Sequence, residues 1–129
     1  MDWQQSFELE LEPMDATHHE FVEYYNRLAA ADADTRIPHL DAFIAHTVAH
    51  FDQENRWMEA VNFPGCHRAE HDRVIQVLHE VRERALSGDG FFLGRLIEEL
   101  PGWFANHAQG MDAALAFTLK SANFDFATG

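Results

Sequence analysis

The chain has 129 residues, 47% of them hydrophobic and 24% charged, a globular composition long enough to close a core. Its formal net charge of −13, from 22 acids against nine Lys and Arg, repels phosphate backbones and anionic lipid, which argues against nucleic acid or a membrane as partner. No apolar run approaches the ~20 residues that span a bilayer, the acidic start MDWQQSFELELEPMD lacks a Sec-type leader pattern, and the lone Cys66 suits a reducing compartment, so a cytoplasmic location is expected.

Residues 1–14 read as an arm. Helical periodicity follows, with Asp15 as the expected N-cap just after Pro13 and with His18, Phe21, Val22, Tyr25, Leu28 and Ala29 on one face. The polar stretch Asp32 to Arg36 ends this helix, and Pro38 serves as punctuation. A second helix is predicted over about Leu40 to Val61, its stripe carrying Phe43, Ile44, Thr47, His50, Phe51, Glu54 and Met58. Asn62-Phe63-Pro64-Gly65 stops it. A third covers about His67 to Leu86, with His67, His71, Val74, Ile75 and Leu78 aligned, and Ser87-Gly88-Asp89-Gly90 closes it.

The fourth helix is predicted over about Phe91 to Leu119, its face running through Leu93, Leu96, Ile97, Leu100, Trp103, Phe104, His107, Ala108, Met111 and Leu115. Pro101 lies inside it and predicts a kink or a restart. Residues 120–129 form a short tail. Four helices over about 15–119, joined by short connections, predict an all-α, antiparallel up-down-up-down four-helix bundle in one domain spanning 1–129.

Polar residues stand on the faces that should turn inward. His18, His50, Glu54, His67, His71 and His107 all fall on the apolar stripes. One such histidine is ordinarily a hydrogen-bonded core residue; five with Glu54, on four helices, are hard to satisfy in pairs, and a metal satisfies them together. His50 and Glu54 are i, i+4, as are His67 and His71, so each pair projects from one face. Asp112 follows His107 at i+5, and five steps of ~100° leave the two about 140° apart. Its side chain is expected to reach round from the stripe edge; a π-type turn near Gly110 is the alternative.

These segments resemble the hemerythrin family. "MDATHHEF…N" is similar to its first-helix pattern, "HFDQENRWM" to H-F-x-x-E-x-x-x-M, "FPGCHRAEH" to aromatic-Pro-x-x-H-x-x-x-H, and "WFANHAQGMD" to W-x-x-x-H-x-x-x-x-D, all in family order from Asp15 to Asp112. The resemblance implies two non-haem iron ions. His67, His71 and His107 would bind one and His18 and His50 the other, with Glu54, Asp112 and an oxo or hydroxo group bridging both. Counted so, one iron is six-coordinate and the other five-coordinate, which leaves a position for O2. NO and small anions such as azide are further candidate ligands. The implied function is reversible O2 binding, for carriage, storage or sensing, in a protein that is not an enzyme. Phe21, Met58, Trp103, Phe104 and Ala108 are candidate walls of a dry O2 pocket.

Three features depart from the family pattern. Ala108 replaces a larger aliphatic residue, His46 occupies a position commonly aromatic, and Pro101-Gly102 precedes Trp103. His46, one turn before His50, is a candidate partner for the ligands or a satisfied helix residue. His19, His39 and His79 read as surface residues. The rival readings are a di-iron oxidase or peroxidase, an iron-handling protein of the same bundle, and a metal-free interaction bundle. No Glu-x-x-His pair of the ferritin-like class occurs in the chain. "HRAEH" also fits an inverted zinc-peptidase motif with Glu70 as base, but that reading leaves His18, His50 and His107 unexplained. Glu70 is expected to be a solvated helix residue.

Overall fold

The structure, a computed structural model, describes residues 1–126; the predicted tail is described as far as residue 126, and 127–129 lie outside the described residues. A short 3₁₀ turn, Gln5–Phe7, precedes helices α1 (Glu12–Ala30), α2 (Arg36–Ala60), α3 (Cys66–Leu86) and α4 (Phe91–His107). A π turn over Ala108–Asp112 then joins α4 to α5 (Ala113–Ser121), so α4, the turn and α5 form one fourth rod. Helix α1 packs on α2, α2 on α3, α3 on α4 and α4 back on α1. With short connections between them, that is the four-helix bundle expected, and no strand occurs among the described residues. No described helix is long and apolar enough to cross a membrane.

Local chemistry explains where the boundaries moved. Asp15 is not an N-cap. Helix α1 starts earlier, after Leu11, and Asp15 sits in its first turn, where its carboxylate accepts the Leu9 and Leu11 N–H groups at 2.7 and 3.1 Å. Pro38 does not end anything. It occupies the first turn of α2, where its missing N–H has no helical partner to lose. Helix α4 runs unbroken through Pro101. Gly88, at φ 96°, supplies the left-handed turn that lets α3 reverse into α4.

The apolar interior divides into two clusters. One holds Phe7, Phe21, Val22, Phe43, Phe51, Val74, Leu78, Phe104 and Ala108 among others. The second holds Met14, Trp57, Met58, Leu115, Ala116 and Leu119. Along α1, His18 falls between Met14 of the second cluster and Phe21 of the first. Along α2, Glu54 falls between Phe51 and Trp57, and along the fourth rod Asp112 falls between Ala108 and Leu115. A layer of polar side chains therefore separates two apolar halves.

Candidate metal centre

Each rod contributes to that layer from one or two turns. His18 comes from α1, His50 and Glu54 from successive turns of α2, His67 and His71 from successive turns of α3, His107 from the end of α4, and Asp112 from the π turn. All seven are buried, the most exposed being His107 at 6%. Donor atoms of Glu54, His67, His71, His107 and Asp112 lie within 4.8 Å of one another, and so do those of His18, His50 and Glu54. These are the seven residues expected from the sequence. The expected reach of Asp112 is replaced by the alternative: the π turn spreads the five residues after His107 over little more than one helical turn, and Asp112 comes back to the face of His107.

Both carboxylates face two ways. Glu54 Oε2 lies 2.7 Å from His50 Nε2, while Oε1 lies 3.2 Å from His71 Nε2 and 3.5 Å from His67 Nε2. Asp112 Oδ2 lies 2.9 Å from His18 Nε2, while Oδ1 lies 3.0 Å from His67 Nε2 and 3.1 Å from His107 Nε2. Each therefore has one oxygen toward the two-imidazole group and one toward the three-imidazole group.

Only part of this proximity is hydrogen bonding: His50 meets Glu54 and His18 meets Asp112 in hydrogen-bond geometry. Glu54 Oε1, His71 Nε2 and Asp112 Oδ1 are buried without an acceptable hydrogen-bond geometry, despite neighbours at 3.0–3.2 Å. His67 and His107 turn their Nε2 atoms toward each other at 3.2 Å. His18 is the clearest case. Its Nδ1 stands 2.9 Å from the carbonyl of Phe7, which can only accept, so Nδ1 carries the hydrogen. Its Nε2 then needs a proton or a cation between it and Asp112. Buried donors crowded this closely, with lone pairs converging and Glu54 Oε1, His71 Nε2 and Asp112 Oδ1 left without a hydrogen-bond partner, fit a metal.

The charges follow from the same crowding. Burial and the Asp112 charge push the Glu54 carboxyl up, yet the His50 and His67 imidazoles hold it well below the usual carboxylate range. Asp112, opposed by burial, is likewise held low by His107, His18 and His67. Burial alone would lower His67, but Asp112 and Glu54 outweigh it and raise His67 to about 9. His18 is raised against its burial by Asp112, while His71 is lowered, burial leading.

The candidate walls divide. Phe21 and Phe104 stack at 4.3 Å, and Phe104 meets the His18 ring edge-on at 5.3 Å. Ala108 is fully buried in the same cluster. Trp103 stacks on His107 at 4.6 Å and donates its indole N–H to Glu70 at 2.9 Å. Met58 lies in the other apolar cluster, beyond Glu54. Glu70 is thus more than a solvated residue. The Arg73 guanidinium, helped by Trp103, holds its carboxyl down to about 2. An open cavity of about 280 Å³ lined by Glu70, Trp103, Asn106, His107 and Met111 brings solvent to this side.

Three contacts had no reading in the sequence. Phe51 stacks face to face on His71 at 3.9 Å, and its signal was present in the H-F pair of α2. Asn55 Oδ1 meets His71 Nδ1 at 3.0 Å, and Phe7 meets His18 through a backbone carbonyl, which no side-chain pattern encodes. His46 makes no hydrogen bond to the ligand set; it stacks on Tyr24 at 4.7 Å, with Nδ1 3.7 Å from Glu20. His19 is exposed but stacks on Trp3 at 3.6 Å.

Comparison with known proteins gives a consistent result. The family described as the hemerythrin HHE cation binding domain matches residues 10–116. A bacteriohemerythrin of Ralstonia nicotianae is 46% identical over 127 residues, covering 97% of this chain and 93% of that protein. A bacteriohemerythrin of Stenotrophomonas maltophilia is 28% identical over 131 residues, covering 97% and 85%. No solved structure matches the chain.

Proposed function

The chain belongs to the hemerythrin family, and from that premise we propose that it binds O2 reversibly at two non-haem iron ions. His67, His71 and His107 hold one ion and His18 and His50 the other, with Glu54 and Asp112 shared between them. The observation that carries this reading is the two-way placement of both carboxylates between a two-imidazole and a three-imidazole group. When bound, the two ferrous ions would supply the electrons that O2 takes up and returns.

The rest of the work falls to the chain. Phe21, Phe104 and Ala108 exclude water on the side of His18, so that protons and bulk solvent are kept from a reduced centre. Phe51 and Trp103 clamp the planes of His71 and His107. Phe7 and Asn55 hold the outer nitrogens of His18 and His71, which keeps each Nε2 turned inward. No side chain is assigned a catalytic role. The exposed, unpaired Cys66 suits a reducing compartment, and the cytoplasm is the location this reading implies.

The test is anaerobic reconstitution with ferrous iron, metal counting, and visible spectra as O2 is admitted and withdrawn. Two irons per chain and a band that appears and disappears with O2 support the proposal. Irreversible conversion to the ferric form with turnover of a substrate makes it an oxidase. Well under two irons in folded protein overturns the two-ion centre itself.

A further inference from the structure

The N-terminal arm packs against the bundle beside the donor layer, with Phe7 in the main apolar cluster and Trp3 packed on it. The Gln5–Phe7 turn is a single 3₁₀ turn, so its last carbonyls have no helical partner. That of Phe7 is used by His18 Nδ1 at 2.9 Å. The Phe7 ring is fully buried, edge-on to Phe104 at 4.8 Å. The same turn packs on the π turn that carries Asp112, where Gln109 donates to Ser6 at 2.9 Å. Further upstream Trp3 stacks on His19, the residue next to His18. The arm therefore touches His18 directly and borders the turn holding the carboxylate that faces it. His71 is anchored elsewhere, by Asn55, and His67 and His107 stand on α3 and α4.

We infer that the arm is a positioning element for one metal position only: Phe7, through its carbonyl, fixes the His18 tautomer and orientation, so that arm docking governs retention of the ion held by His18 and His50. This rests on the two-ion reading above. A carbonyl that accepts from Nδ1 forces the hydrogen onto that atom and leaves Nε2 bare for a cation. When the arm lifts, His18 regains the other tautomer and its rotamers, and water reaches the two-imidazole group. The three-imidazole group keeps its own supports. The consequence is an asymmetric centre, with one labile ion and one retained.

The experiment loads the full-length protein with ferrous iron under argon and follows release to excess bipyridine. Wild type, Phe7→Ala, Phe7→Leu and the double variant Trp3→Ala/Gln109→Ala are compared, with circular dichroism to confirm folding. In Phe7→Ala, one iron per chain should leave 10- to 100-fold faster than in wild type, the other at the wild-type rate. Phe7→Leu, which keeps the arm docked by an apolar side chain, should restore slow release. The double variant loosens the outer contacts of the arm while Phe7 stays in the core, so it carries the test if Phe7→Ala does not fold, and it too should release one ion selectively. Both ions leaving together, or neither rate changing, overturns the inference. Fewer than two irons in loaded wild type instead removes the reading beneath it.

Discussion

Glu54 is the residue on which the two halves of the centre most plainly meet, since Oε2 faces His50 and Oε1 faces His67 and His71. Glu54→Gln keeps the shape but removes the charge and one acceptor, so both metal positions should weaken together in a metal titration followed by elemental counting. His107→Ala removes a donor from the three-imidazole group alone; iron content should fall and any O2-dependent band should vanish. His67 adds a pH dependence. Its folded value of about 9 lies above the ordinary 6.5, so in metal-free protein its stabilising contribution is complete below 6.5 and is lost as pH rises through about 9. A metal must displace that proton. Ferrous affinity should therefore climb at least close to tenfold per pH unit between pH 6.5 and 8.5, measured by chelator competition, with one proton released from His67 and a further share from His18, which Asp112 also raises. A flat profile would mean that His67 is not a ligand.

At the scale of elements the π turn is the informative feature. It acts as a one-residue insertion in the fourth rod, and it alone brings Asp112 to the His107 face. Deleting Gly110 should let the turn relax to ordinary helix with Asp112 at i+4 from His107, so metal content and helicity should be nearly preserved. Deleting Ala114, one turn on, leaves the π turn in place but rotates Leu115, Ala116 and Leu119 by about 100° out of their cluster, and melting temperature should drop. Equal damage from both deletions would contradict this account. The sequence showed the five imidazoles and Glu54 well, because i, i+4 spacing on an apolar stripe is a geometric statement about any regular helix. It misplaced the route of Asp112, because a five-residue interval is ambiguous between a long reach and a local unwinding. Asp15 looked like a cap for a similar reason: its neighbours fit a helix start, but its carboxylate caps backward onto Leu9 and Leu11 from inside the first turn. The Phe7 and Asn55 contacts were illegible, one being made by backbone and the other by a single amide with no periodic partner.

For the whole molecule, seven buried polar side chains at the middle of a bundle are a liability until something binds them. Ferrous iron bound to the folded state alone should raise the melting temperature in proportion to the logarithm of its free concentration. The shift should shrink at pH 5.5, where protons compete for the imidazoles; differential scanning calorimetry with and without chelator checks both. The bland alternative, a bundle whose histidines satisfy one another, predicts no shift at either pH.

The split of the interior into two apolar compartments has a consequence for motion. Met14, Trp57, Met58, Leu115, Ala116 and Leu119 form the smaller compartment, cut off from the larger one by the donor layer. Cross-linked through a metal, the two should open to solvent as one cooperative unit. Stripped of it, the smaller one should breathe by itself, so that amide deuteration speeds up in α5 and at the end of α2 while the middle of α3, around Val74 to Val81, stays slow.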